Sequence, residues 1–222
     1  MNTGKSWQAR LELGFRREGG RTILAHRRHM GPLVVQRPFH PEGPVCHVYL
    51  VHPPGGIVGG DSITLQVDVE THAHALLTTP AATRFYRAGP HPRATVHQLL
   101  AVRGALEWLP QETIVFEGAR AHATTRVELA GDEARFLGWE VACLGRPACG
   151  EGFREGELLQ DFLLYRDGQP LLLDRTRLAG DSPALSAGWG LAGSRAMGTL
   201  LMYPAGGVDL APLRRLQGGD AR

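Results

Sequence analysis

The sequence has few of the features that mark secreted or membrane proteins. It contains three cysteines, Cys46, Cys143 and Cys149, an odd number without the paired spacing of a metal site. This count argues against a disulfide framework and favours a reducing, cytoplasmic setting. No run of eighteen apolar residues is present to span a membrane. The N-terminal stretch lacks the apolar segment of a signal peptide, so we expect an intracellular protein.

An excess of charge of one sign is also missing. The chain carries 24 basic and 22 acidic residues, a net charge of +2. Such a balance provides no strong electrostatic attraction for nucleic acid or for an acidic membrane. We therefore expect neither as a partner.

A phosphate-binding loop is absent as well, although one segment is rich in glycine. The segment "HPPGGIVGGD" (52–61) does not have the glycine spacing of a dinucleotide fingerprint. A P-loop would have lysine after its last glycine, where this chain has Asp61. A strand-like pattern follows the segment, so no helix N-terminus is available to bind an anion. The segment is not a nucleotide site, and it predicts a tight turn between two strands.

What the sequence does contain is glycine, proline and alternating apolar residues. With 29 glycines and 15 prolines scattered without a period, it predicts many turns between short strands. In "SITLQVDVE" (62–70), for example, every second residue is apolar, which is typical of a half-buried strand. Asp167-Gly168 predicts a hairpin turn. The same alternation predicts further strands in 7–15, 45–52, 73–80, 94–102, 104–110, 113–119, 121–130, 134–145, 158–178 and 197–204.

Few segments favour helix. A single turn starting at Pro80 is expected in 80–87, and a short helix in 209–217. The segment 24–32, "LAHRRHMGP", has the composition of a basic turn. No linker or repeat divides the chain, so residues 1–222 are predicted to form a single mainly β domain with about two short helices.

Histidines provide one candidate site. In a strand, His72 and His74 would lie on one face, within reach of a common Zn²⁺ or Ni²⁺ ion. With a carboxylate as third ligand they would make a small β-fold metallohydrolase. Solvated histidines beside a turn fit the same pattern, because a metal site needs three or four ligands. No G-x-S-x-G elbow is present for nucleophilic catalysis.

Acids within apolar runs provide a second candidate site. Glu117, Glu140 and Asp174 each interrupt a strand-like segment. Alternation allows each of them to face solvent, and the sequence leaves that open. A carboxylate that faces inward needs a partner, a proton or a metal, because an unpaired buried charge is costly. Several such acids would form weak oxygen sites, suited to passing a divalent cation along.

Five blocks in the chain carry a resemblance to a known family. They are "HPPGGIVGGD" (52–61), "LLTTPAATRFYR" (76–87), "LEWLPQETIVFEGA" (106–119), "LGWEVACLGRPACGEGF" (137–153) and "GTLLMYP" (198–204). In this order they strongly resemble the urease accessory protein UreD family, called UreH in some bacteria.

The resemblance implies a scaffold without catalysis, built as a helicoidal stack of β-strands. It also implies a complex with the accessory proteins F and G, the latter a GTPase, which docks on apo-urease. The complex would help deliver Ni²⁺ as cargo, with no stably bound cofactor in this chain. By motif match, the acidic path for Ni²⁺ would include Glu140 and Asp174, with Asp61 as a third candidate. The family pattern usually continues beyond 198–204, so we expect this chain to have a short C-terminal segment.

Overall fold

The computed structural model describes residues 6–204, and this part of the chain is built almost entirely from β-strands. The two helices that it contains are 3₁₀ turns of three residues, Pro147–Cys149 and Pro183–Leu185. Fifteen strands make up the rest of the regular structure: β1 (Gln8–Glu18), β2 (Arg21–Met30), β3 (Val34–Val35), β4 (Cys46–Val51), β5 (Ser62–Val69), β6 (His74–Thr78), β7 (Thr83–Phe85), β8 (Ala94–Val102), β9 (Ala105–Leu109), β10 (Thr113–Val115), β11 (Arg120–Leu129), β12 (Arg135–Leu144), β13 (Glu157–Arg166), β14 (Gln169–Ala179) and β15 (Ala196–Tyr203).

The strands form two mixed sheets. The first sheet has the order β14-β13-β11-β8-β5-β1-β2, and the second has the order β3-β4-β6-β9-β12-β10-β7, with β15 paired to β12. From β4 to β13 the chain passes back and forth between the two sheets. Neighbouring strands in the middle of each sheet are therefore parallel and come from successive circuits of the chain. Antiparallel hairpins close the first sheet at both edges, as β1–β2 and β13–β14.

A single apolar core lies between the sheets. Strand β5 shows its origin, because its residues alternate between partly exposed and buried along the whole strand. Every second side chain of a strand points to the same face, so the apolar set faces the opposite sheet. The Phe136 ring of the second sheet lies 6.1 Å from the Phe162 ring of the first. The core is therefore continuous from one sheet to the other.

The second sheet has a gap beside the middle of β12, where no neighbouring strand in the described part of the chain pairs with it on the side of β9 and β10. Residues 135–138 of β12 pair with β9, and residues 142–144 pair with β10. Between these two ladders the chain of each preceding circuit is interrupted, at Pro80 after β6 and at Pro110 after β9. Proline has no backbone N–H and cannot continue a ladder in the interior of a sheet. Among the strands of residues 6–204, only β12 and its partner β15 cross the interruption without a break.

Most of the strand predictions are confirmed. All of the segments with alternating apolar residues contain a strand, and the hairpin turn is at Asp167-Gly168, where both residues have positive φ. The helical turn predicted in 80–87 is wrong, because Thr83–Phe85 forms β7 and pairs with β10. The basic turn predicted in 24–32 is also wrong for most of its length, because Arg21–Met30 forms β2.

Two further expectations concern the chain as a whole. The helix expected in 209–217 lies outside the described residues, and the single-domain assignment of 1–222 stays a prediction. Across residues 6–204, no helix has the length and apolar character needed to cross a membrane.

Candidate functional site

Glu140 lies at the gap in the second sheet, on the face of β12 that points toward the first sheet. Its carboxylate accepts a hydrogen bond from the Thr125 hydroxyl and another, of 2.7 Å, from Gln160 Nε2. The Thr125 hydroxyl also lies 2.5 Å from Gln98 Oε1. Thr125, Gln160 and Gln98 come from three strands of the first sheet, β11, β13 and β8. The acid is therefore held between the sheets by a polar cluster within the apolar core.

The surroundings of Glu140 make its carboxyl group harder to ionise. Burial raises its pKa above the ordinary value, and this effect outweighs the hydrogen bonds from Thr125 and Gln160, which lower it. The negative charge of Asp174 raises the pKa further. A carboxylate in this place is stabilised by a proton or by a cation, because either neutralises its charge in poorly hydrated surroundings.

Asp174 is the second acid of the cluster. It lies on the edge strand β14, opposite Phe162 of β13. Exposed and partly buried residues alternate along this part of β14, and Asp174 is one of the partly buried ones. Thr176 Oγ1 is 3.4 Å from its carboxylate. Because the charge of Asp174 acts on the Glu140 carboxyl, the structure brings together two of the four acids selected from the sequence.

Asp61 lies apart from this pair and has a different environment. Its side chain is 3% exposed, and its two carboxylate oxygens accept hydrogen bonds from the backbone N–H groups of Trp7 (2.7 Å) and Val58 (2.9 Å). These bonds hold the glycine-rich loop against the beginning of β1. Asp61 is not among the residues that line the cavity described next. Its assignment to a cation path stays a prediction, as do those of Glu140 and Asp174.

A cavity of about 220 Å³ opens along the gap and ends at the polar cluster. The glycine-rich loop and the segments around Pro80 and Pro110 surround its outer part, and Glu140, Gln98 and Gln160 line its inner part. Most of the remaining wall is apolar. Among the described residues, Trp108 Nε1 and Gln160 Oε1 are buried there without a hydrogen-bond partner. The inner end therefore offers oxygen donors of the kind that hard or borderline divalent cations accept, in a passage wide enough for water.

The glycine-rich loop owes its composition to close packing beside the cavity. Ile57 forms a bridge to β7, donating to Arg84 O (2.8 Å) and accepting from Tyr86 N (2.8 Å). The Tyr86 ring then lies directly against Gly56, where an added Cβ would be 2.0 Å from Tyr86 Cε2. Only glycine fits at this position without displacing the ring. The loop shapes the mouth of the cavity.

The two histidines do not form the expected pair. His72 lies in the turn before β6, with a φ of 64°, and only His74 is in the strand. His72 Nδ1 is 2.7 Å from Glu133, whereas His74 Nε2 is 2.8 Å from Glu107. The prediction that both rings share one strand face is wrong, because the turn rotates His72 away. Within residues 6–204, no group of three or more His, Cys, Asp or Glu side chains is arranged to hold a metal ion.

Glu117, the remaining acid selected from the sequence, braces a loop. It accepts hydrogen bonds from the backbone N–H groups of Arg154 (3.0 Å) and Glu155. Its carboxylate is thereby occupied at the surface, away from Glu140.

Sequence reasoning missed the neutral members of the cluster. Gln98, Thr125 and Gln160 each occupy an inward position of a strand whose other inward residues are apolar. The sequence did contain a signal for them: in each of three alternating strands, one polar residue stands at a position where the pattern predicts a buried apolar one. It could not show that the three strands are neighbours, because β8, β11 and β13 pair over long sequence separations.

Comparison with known proteins gives a consistent result. The profile of the family described as UreD urease accessory protein matches residues 8–221. The urease accessory protein UreD of Citrobacter koseri is 47% identical over 204 residues, which cover 90% of this chain and 69% of that protein. The urease accessory protein UreD of Azoarcus sp. is 48% identical over a match that covers 93% of this chain and 73% of that protein. The one from Klebsiella aerogenes is 46% identical, covering 90% and 73%.

Proposed function

The chain belongs to the urease accessory protein UreD family, and from this premise we propose that it is a scaffold for urease maturation that gives Ni²⁺ a passage between its two sheets. It performs no catalysis itself. Ni²⁺ is its cargo and not a resident cofactor. The path includes Glu140 and Asp174. Asp61 acts at most indirectly, because backbone N–H groups occupy both oxygens of its carboxylate.

The observation that carries this proposal is the polar cluster around Glu140. A buried acid with neutral oxygen donors on three strands of the opposite sheet is costly in an apolar core, and hydrophobic residues of similar volume would pack there at less cost. The cluster adds nothing to strand pairing. It does supply a carboxylate and amide oxygens at the inner end of an open cavity. These are too few ligands to retain a metal, which suits transfer better than storage.

The partners in this proposal are the accessory proteins F and G and apo-urease. The sequence lacks a phosphate-binding loop, which agrees with GTP hydrolysis by the G protein and not by this chain. The cytoplasmic setting proposed for the complex agrees with the three free cysteines.

The proposal is tested by removing each acid in cells that express a urease operon without its own copy of this protein. We expect Glu140→Ala and Asp174→Ala to reduce both the nickel content of purified urease, measured by mass spectrometry, and its activity. Asp132→Ala is the matched control, because Asp132 is a fully exposed acid whose pairing with Arg166 lies at the surface.

Assembly is measured in parallel by co-purification of this chain with the F and G proteins and apo-urease. The expected result is an intact complex with urease that is poor in nickel. Normal nickel content in both acid variants would refute the path. Loss of co-purification in both variants would attribute the effect of the acids to folding or docking instead.

A further inference from the structure

The β1–β2 hairpin concentrates the positive charge of the chain at one edge of the first sheet. Residues 8–30 contain six arginines and two glutamates, whereas the rest of the chain contains 18 basic and 20 acidic residues. The net positive charge of the whole protein is therefore located in this hairpin. Strand β2 itself carries three arginines and two histidines and no acid: Arg21, His26, Arg27, Arg28 and His29.

Among residues 6–204, the charges of β2 are largely without ion-pair partners. Glu12 pairs with Arg10 and lies 3.6 Å from His26, and Glu18 pairs with Arg16. In the part of the chain that the structure describes, Arg27 and Arg28 take part in no ion pair. The six residues from Ala25 to Met30 are all exposed. Internal packing and internal ion pairs thus do not explain the composition of this strand.

Strand β2 is also an open edge. It pairs with β1 on one side. On the other side, a hydrogen bond runs from Thr22 N to Pro44 O (2.8 Å), another runs from His40 Nε2 to Thr22 O (2.7 Å), and the backbone of Leu24 is hydrogen-bonded to the Cys46 thiol. Beyond Leu24 the outward N–H and C=O groups are available to another strand. The exposed stretch extends over about 20 Å, which is enough for an ordinary strand pairing.

We propose that the free edge of β2 is a docking site for an acidic extended segment of a partner protein, which adds to the first sheet as an eighth strand. Backbone hydrogen bonds supply the pairing, and carboxylates opposite Arg27 and Arg28 supply the selectivity. Both faces of the added strand meet a positive residue, because Arg27 and Arg28 point to opposite faces of the sheet.

A second copy of this chain does not fit this edge. Pairing β2 with β2 would place arginines and histidines next to one another, and like charges on facing positions destabilise a strand pair. Nucleic acid would pair with the positive side chains of β2 but would leave the backbone N–H and C=O groups of its free edge without strand partners. The acidic strand satisfies both features, and it does so far from the polar cluster between the sheets.

The test measures binding of the full chain to labelled peptides of about eight residues, by fluorescence anisotropy at low ionic strength. The probe repeats the unit Glu-Glu-Thr-Thr, so that both faces of its extended chain carry glutamates. A second probe has the same sequence with every backbone nitrogen methylated, so that neither of its edges offers N–H donors, and a third is a short DNA duplex. We expect the unmodified acidic peptide to bind and the methylated one to bind at least about tenfold more weakly, because it cannot complete the ladder.

The protein variants locate the site. Arg27→Gln combined with Arg28→Gln is expected to weaken binding of the acidic peptide about five- to tenfold, with a smaller difference in high salt. Arg175→Gln combined with Arg195→Gln removes the same charge from exposed positions elsewhere and should leave binding unchanged. Equal binding of the two peptides, equal binding to both double variants, or preference for the DNA would each overturn the proposal.

Discussion

Replacing Glu140 with glutamine tests whether this carboxyl resists ionisation inside the protein. Glutamine keeps the size and the hydrogen-bonding capacity of the side chain but has no charge. Because burial raises the pKa of Glu140 in the folded state, the folded protein holds this proton at pH values where the unfolded chain has released it. The stability that Glu140 contributes is therefore complete below the ordinary glutamate pKa of about 4.3, and it is lost as pH rises through the folded pKa.

The size of the effect follows from a single proton. Over that pH window the free energy of unfolding of the wild type should fall relative to that of Glu140→Gln by at most about 1.4 kcal/mol per pH unit. At neutral pH the variant should be the more stable of the two, and the difference should shrink toward pH 4. The hydrogen bonds from Thr125 and Gln160 moderate the slope without reversing it, because the net shift of the pKa is upward.

The assay is urea unfolding followed by tryptophan fluorescence between about pH 4 and pH 8. The control is Glu70→Gln, at an exposed glutamate at the end of β5 that takes part in no ion pair within residues 6–204. A wild-type curve that runs parallel to that of Glu140→Gln across the range, or one that gains stability relative to it as pH rises, would refute a buried carboxyl with a raised pKa.

Three other substitutions test separate parts of the structure by the same unfolding assay. Gly56→Ala should lower the free energy of unfolding by about 1–3 kcal/mol, because its Cβ meets the Tyr86 ring. Gly55→Ala, with a φ of 76° and no atom within 4 Å, should lower it by only about 1 kcal/mol. Equal losses would contradict the role of packing against Tyr86. Thr125→Val should cost about 1–3 kcal/mol at neutral pH, since the buried carboxylate loses a donor, and an unchanged midpoint would mean that the hydroxyl is dispensable. Burial raises the pKa of Glu157, but hydrogen bonds from two arginines outweigh this effect and lower the pKa. Glu157→Gln should therefore be less stable than the wild type at pH 7 and equally stable once pH falls below the folded pKa. A difference in unfolding free energy that persists in acid would contradict this.

Local pattern was sufficient to predict most of the strands of this fold. In β5 the alternation of apolar and polar residues continues through the whole strand, and the Asp167-Gly168 turn has the backbone conformation that its sequence favours. The pattern failed in β2, because an edge strand with both faces exposed has no apolar phase to recognise. It also failed at Pro80, where the proline ends one strand just before another begins.

The site was predictable only in part, for a related reason. Glu140 and Asp174 could be selected because each places a charge in an apolar run. Their neutral neighbours, Gln98 and Gln160, become significant only when the order of strands in the first sheet is known. That order joins segments distant in sequence, and no periodicity within one segment determines it. The two histidines show the converse, because a single residue with positive φ rotated His72 away from His74.

The passage of the chain from sheet to sheet also has a kinetic consequence. Each circuit adds strands to both layers, and the central strands find their neighbours only after an intervening strand has crossed to the other layer. Such non-local pairing is slow to nucleate, since loop closure precedes any gain from contact. During synthesis, an incomplete set of circuits leaves the apolar side of its newest strand uncovered until the next one arrives. A protein wound in this way depends on its later circuits to protect the earlier ones from aggregation.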